Sequence, residues 1–231
     1  MPSPVQVLSS TGGSLLAGGT RLLGAALRRT KPLHPEGHLR RATVRRTGAD
    51  PETGCAWLDE PGTDDALVRV SRGIGLPGTV PDVHGLAIRV SLDGAVGDLL
   101  LASTGTGRLS RFLLTATRSA GGGPLGTLLP YRSPRGPVLI AAVPESPLAF
   151  RLQRSGLAGD WVPFGRLELG EDLGDDTQVS FDPVVNVLPG LATYDWVRRL
   201  RGPAYRTARR RSDRPDPVAT ATAAAPPQRR A

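Results

Sequence analysis

Seven short stretches, apolar throughout or alternating apolar with polar, constrain this chain more than any other feature. They fall at 39–46, 66–71, 85–91, 98–104, 137–144, 148–154 and 166–170, separated by loops of glycine, proline and aspartate. Alternation at a period of two sets one face of a strand against a core and turns the other face away from it. The segment Leu92-Asp93-Gly94 carries a hairpin signal, because glycine accepts the positive φ that a two-residue turn demands. Strands at regular spacing favour an antiparallel barrel or sandwich. Helices are expected only at the flanks and in one connection. Leu15, Leu16, Leu22, Leu23, Ala26 and Leu27 share a helical face over about 14–29, and 109–116 and 194–200 are two further helical stretches. The fold class is therefore α+β, an antiparallel β-barrel or sandwich with flanking helices. Three regions follow: a loose start and helix over 1–30, one β-rich domain over 31–211, and a tail over 212–231. The tail is dominated by Pro, Ala, Thr and Arg and is expected to be disordered.

Charge is unevenly distributed. The chain has 28 arginines, one lysine and a net charge of +8. Seven basic residues lie between Arg28 and Arg46 and eight between Arg198 and Arg214. The stretch 47–197 holds 11 basic and 18 acidic residues, a local charge of −7. Cations gathered at the two ends suit solvated surface or an anionic ligand held between those ends. Recognised nucleic-acid-binding signatures are absent, and aromatic content of 4% offers few stacking platforms, so a specific nucleic-acid partner is not expected. Apolar runs break within about a dozen residues, short of the roughly twenty a bilayer demands, so no transmembrane segment is expected. Gly18, Gly19, Arg21 and Gly24 interrupt the early apolar stretch, which argues against a signal peptide. The single cysteine, Cys55, suits a buried free thiol and a reducing, cytoplasmic setting. The glycines at 121–123 lack the Lys-Ser/Thr ending of a phosphate loop. Asp172, Asp175 and Asp176 lack calcium-loop spacing and read as a solvated turn.

Three pieces, in chain order, carry the functional signal. The first is the His-x-x-Gly frame of Leu33-His34-Pro35-Glu36-Gly37, with Lys31 three residues before the histidine. The second runs from Val68-Arg69-Val70-Ser71-Arg72 through Asp82-Val83-His84-Gly85-Leu86-Ala87-Ile88-Arg89-Val90 to Asp98-Leu99-Leu100-Leu101-Ala102-Ser103-Thr104. The third is Arg201-Gly202-Pro203-Ala204-Tyr205, with Arg209, Arg210 and Arg211 following. Together they resemble the distal histidine turn, the barrel strands and the proximal tyrosine motif of haem catalases.

The resemblance implies a catalase-like barrel carrying haem b. It implies Tyr205 as axial ligand of the iron, Arg201 one helical turn away favouring the phenolate, and Lys31 and Arg69 as propionate partners. It also implies His34 as the distal acid–base group, Ser71 as the hydroxyl that fixes the imidazole, and Ser103 where the family has its distal asparagine. Ala102 takes that place if the register slips by one. His38 is the rival to His34, and His84 is assigned to packing. The family's paired distal phenylalanines are absent, with Gly107, Arg108 and Leu109 in that region. A looser distal pocket implies peroxidase-type turnover of hydrogen peroxide or organic hydroperoxides rather than fast dismutation. Assembly as a homo-oligomer is compatible with the resemblance. Two readings of another class stand beside it: a catalase-fold relic without haem chemistry, serving as a basic binding or scaffold protein, and a basic surface-binding protein with no active site.

Overall fold

Each of the seven stretches forms a strand, and their alternation closes into a barrel. The computed structural model describes residues 37–73, 80–92, 94–175 and 179–199. In chain order the strands are β1 (Gly37–Thr47), β2 (Pro61–Arg72), β3 (His84–Leu92), β4 (Ala95–Ser103), β5 (Leu125–Gly126), β6 (Tyr131–Ser133), β7 (Gly136–Ser146), β8 (Ala149–Ser155), β9 (Val162–Asp175) and β10 (Ala192–Thr193). Neighbours pair antiparallel in the order β7-β5-β4-β3-β2-β1-β9-β8, and β8 also pairs β7, so eight strands close on themselves. β6 pairs the start of β7 and carries β10 on its other edge. The β3–β4 connection is the expected hairpin: Leu92 pairs Ala95, and Gly94 has φ of +73°.

An eight-stranded barrel is wide enough for its own side chains and little else. Val44, Val68, Ile88, Leu99, Ile140, Phe150 and Leu167 fill the interior, each 2% exposed or less. One end is stoppered by the short helix α1 (Ala56–Asp59), whose Trp57 meets Phe164 edge-on with ring centroids 5.7 Å apart. Trp57 Nε1 and Arg46 both donate to the Asp64 carboxylate, which satisfies the polar edge of this plug. Cys55 lies there too, buried and free, its thiol donating to the Pro189 carbonyl at 3.2 Å. Burial pushes the thiol pKa up, because the thiolate would lose its hydration. A Cβ built on Gly190 would lie 3.1 Å from Cys55, and the residue has φ of +84°, a conformation and a spacing that favour glycine.

The opposite end is polar. Asp82 and Thr117 exchange backbone hydrogen bonds across it, Ser103 Oγ donates to the Thr115 carbonyl, and the His84 amide donates to Ser103 Oγ.

Three expectations change. The stretch 109–116 forms only one 3-10 turn, Ser110–Phe112, because Arg111 is drawn inward. Arg111 donates to the carbonyls of Gly107 and Gly156 and to Ser155 Oγ, and its guanidinium lies 4.9 Å from the Trp161 ring centroid. Asp172 and Asp175 belong to the end of β9 instead of a turn, paired with Arg40 and His38. The short strands β5, β6 and β10 carry too few residues to show a period. The expected helix over 14–29 and the tail over 212–231 lie outside the described residues; a helical turn at 195–199 marks the start of the last expected helix. Among the described residues no helix is long and apolar enough to cross a membrane.

Candidate functional site

Residues directly opposite one another in an antiparallel pair project from the same face. The barrel register therefore sorts the sequence-derived candidates onto two sides. Val68 and Val70 turn inward, so Arg69 and Ser71, each one residue along, turn outward. Gly37 pairs Ser71, Ser71 pairs Gly85 and Gly85 pairs Ala102, which draws one line of very small residues across β1–β4. The next line is Leu39, Arg69, Ala87 and Leu100. The outer face here is a shallow floor with one arginine standing at its margin.

Arg69 leans across this floor. A Cβ built on Gly37 would lie 2.6 Å from Arg69 Nε, so glycine at 37 is what lets the guanidinium pass. Ser71 is 7% exposed, and both Arg69 and Ser71 are engaged in further interactions.

A third line, Arg41, Leu67, Arg89 and Asp98, borders the floor on the side nearer α1. Arg89 grips Asp98 in a two-pronged pair, Nε to Oδ1 and Nη2 to Oδ2, both 2.8 Å, with the two side chains 5% and 0% exposed. A buried pair of this kind holds only if the remaining lone pairs and protons find partners. Here they do. Asp98 Oδ2 also accepts from the Asp182 amide at 2.7 Å and Asn186 Nδ2 at 2.9 Å, and Arg89 Nη2 donates to the Ser180 carbonyl at 2.7 Å. The Phe181 ring lies under the Arg89 guanidinium, 5.1 Å from its centroid. The segment Ser180–Asn186 is thereby tied to the same barrel face that carries Arg69 and Ser71.

Ser103 faces the other way. It pairs Leu125, shares the interior face with Leu101, is 1% exposed, and spends its hydroxyl on Thr115 and the His84 amide. Ala102 is the residue in line with Ser71. His84 is equally internal, with Nε2 3.1 Å from the Thr117 carbonyl. His38 is exposed and pairs with Asp175 at 3.0 Å. Lys31, His34, Arg201 and Tyr205 lie outside the described residues. Among the described residues no group of three or more His, Cys, Asp or Glu side chains is placed to hold a metal ion. Sequence reading assigned no role to the Arg89–Asp98 pair. Its only signal was opposite charges in two adjacent strands, nine residues apart across a hairpin.

Solved structures of similar shape come from fungal catalases. One, a fungal catalase, superposes with a TM-score of 0.50 at 12% identity over 71% of this chain and 56% of its own. Catalase A from Saccharomyces cerevisiae superposes with a TM-score of 0.49 at 10% identity, covering 74% of this chain and 60% of its own. The chain thus spans somewhat more than half the length of either. No protein-family model matches the chain, and no curated protein sequence matches it. At such identity the likeness speaks for architecture alone, and the closed eight-stranded antiparallel barrel with few helices is a catalase-like fold.

Proposed function

We propose that the chain binds one haem b against the outer face of β1–β4 and turns over hydrogen peroxide or organic hydroperoxides. One observation carries this reading: Arg69 and Ser71 share that face, and Ser71 pairs Gly37, the end of the His34-Pro35-Glu36-Gly37 frame. Covalent reach keeps His34 within about 11 Å of Gly37. The fold it shares with a fungal catalase supports the same reading.

The residues present fit a flat, doubly anionic group. The line Gly37, Ser71, Gly85 and Ala102 has almost no side-chain relief, and Arg69 supplies a cation at its margin. Lys31 would meet the second propionate, Tyr205 would be the axial ligand, and Arg201 would favour the phenolate form of that tyrosine. Bound haem supplies the redox chemistry that divides the O–O bond. The remaining work is done by side chains. His34 takes a proton from the incoming hydroperoxide and returns it to the departing oxygen, and the Ser71 hydroxyl sets which imidazole nitrogen is free to act.

Ala102 in the line of Ser71, with Ser103 turned inward, leaves the distal side without a polar group at that position. Such a surface offers little hold on a small peroxide and accommodates a hydroperoxide with an organic body, which favours peroxidase-type turnover. The same apolar position is the one observation favouring the alternative, a catalase-like barrel that serves as a binding or scaffold protein without haem. Protein purified after expression with haem available, but showing no haem absorption, selects that alternative.

The direct test of the chemistry is His34→Ala in haem-loaded protein. Loss of general acid–base assistance lowers peroxide turnover by about a hundred- to ten-thousand-fold. Haem content stays unchanged, and His38→Ala keeps most of the activity. A His34→Ala protein that turns over peroxide at the parental rate overturns the assignment.

A further inference from the structure

Apart from the barrel face, the described residues form a cleft with the chemistry of a ligand site. It lies where the small β6–β10 sheet meets the segment that follows Asn186. Its volume is about 350 Å³, within the range of small-molecule pockets. Val184, Val187 and Leu191 form an apolar wall, while Arg132, Thr193 and Arg198 contribute the polar one, where the Asp195 carboxylate also lies.

The three polar groups are unevenly satisfied. Arg198 is paired with Asp195, three residues before it. Arg132 projects from β6 beside Ala192 and has no acidic partner among the described residues. Thr193 Oγ1 is enclosed and has no hydrogen-bond partner. An enclosed hydroxyl without a partner is costly, and the exposed guanidinium of Arg132, with no acidic partner among the described residues, is free to take an anion. A single group answers both: an oxyanion lodged between Arg132 and Thr193, attached to a body that covers Val184, Val187 and Leu191. A bare phosphate would leave the apolar wall wet, and a hydrocarbon would leave the guanidinium and hydroxyl unmatched.

We infer that this cleft binds a small organic carboxylate, an anion with an apolar ring or short chain, at a site separate from the outer face of β1–β4. The guanidinium of Arg132 holds the carboxylate, Thr193 donates its hydroxyl to it, and the valine and leucine side chains take the apolar part.

The test uses the full-length protein and 2-naphthoate, with 2-naphthamide as the neutral counterpart and inorganic phosphate as the bare anion. Ligand-observed magnetisation transfer and calorimetry give binding and its strength. The expected result is saturable binding of one naphthoate per chain, at least about tenfold weaker for the amide and at least about tenfold weaker in Arg132→Gln, as loss of a charge-assisted contact entails. Arg132 is exposed, so this variant folds as the parent does, which circular dichroism verifies. Equal binding of naphthoate and naphthamide, binding unchanged in Arg132→Gln, or no binding up to about 1 mM overturns the inference. Phosphate that competes as well as naphthoate does overturns the assignment to an organic acid.

Discussion

Ser71 and Ser103 show how much turns on a single residue of register. Both are buried serines, on the two strands that flank β3, and the sequence allowed either Ala102 or Ser103 as the distal position. The chain of pairings from Ser71 through Gly85 to Ala102 sets Ala102, not Ser103, on the outer face with Ser71, because one step along a strand reverses the face. The two serines should therefore fail differently. Ser103→Ala leaves the His84 amide and the Thr115 carbonyl short of a partner inside the barrel end and should cost about 1–3 kcal/mol in chemical denaturation. Under the proposed function it leaves peroxide turnover per folded molecule unchanged, whereas Ser71→Ala lowers turnover. A reversal of these two outcomes would place Ser103 on the reactive side. The Arg89–Asp98 pair makes a second residue-scale case. Asp98→Asn keeps the shape but leaves the guanidinium uncompensated at 5% exposure, so a loss of about 3–5 kcal/mol is expected. The double change Arg89→Met with Asp98→Leu should recover part of that loss, and denaturant midpoints for the set measure it.

At the scale of elements, the apolar period identified the barrel strands because burial of one face is what selects them. It underestimated their length. β9 runs to Asp175, five residues beyond its apolar part, since Arg40, Arg41 and Arg45 of β1 meet Asp172, Glu171 and Glu168 across the ladder. Such charged rungs keep strands paired without leaving an apolar signature. The stretch 109–116 went the other way: its leucines have helical spacing, yet tertiary bonds to Arg111 and the Thr104–Leu114 bridge hold it extended. Arg111→Ala should free this connection. Amide exchange at Leu113 and Thr115, whose N–H groups bond to Ser110 and Ser103, should speed up by at least about tenfold while the β1–β4 amides keep their protection. Unchanged exchange in the connection would mean that Arg111 does not anchor it.

For the molecule as a whole, the barrel separates what sequence could tell from what it could not. The seven longer strands and their antiparallel arrangement were legible, because a period of two and short loops admit few topologies, whereas their order in the sheet was not read from the sequence. Faces were not, because facing depends on register across four strands rather than along one. Composition announced that positive charge is carried by the two chain ends. Gly37 opens β1 beside Ser71, and Ser180–Asn186 is bound to the same outer face through Asp98. The proposed haem site on this face depends on Tyr205 above all. The measurement that tests it most directly is the visible absorption spectrum, with haem content per chain, of the parent protein and Tyr205→Phe expressed with haem available. One haem per chain with a ferric tyrosinate-type spectrum is expected in the parent, and loss of that spectrum or of most of the haem in the variant. Equal haem content and an unchanged spectrum in Tyr205→Phe would contradict it.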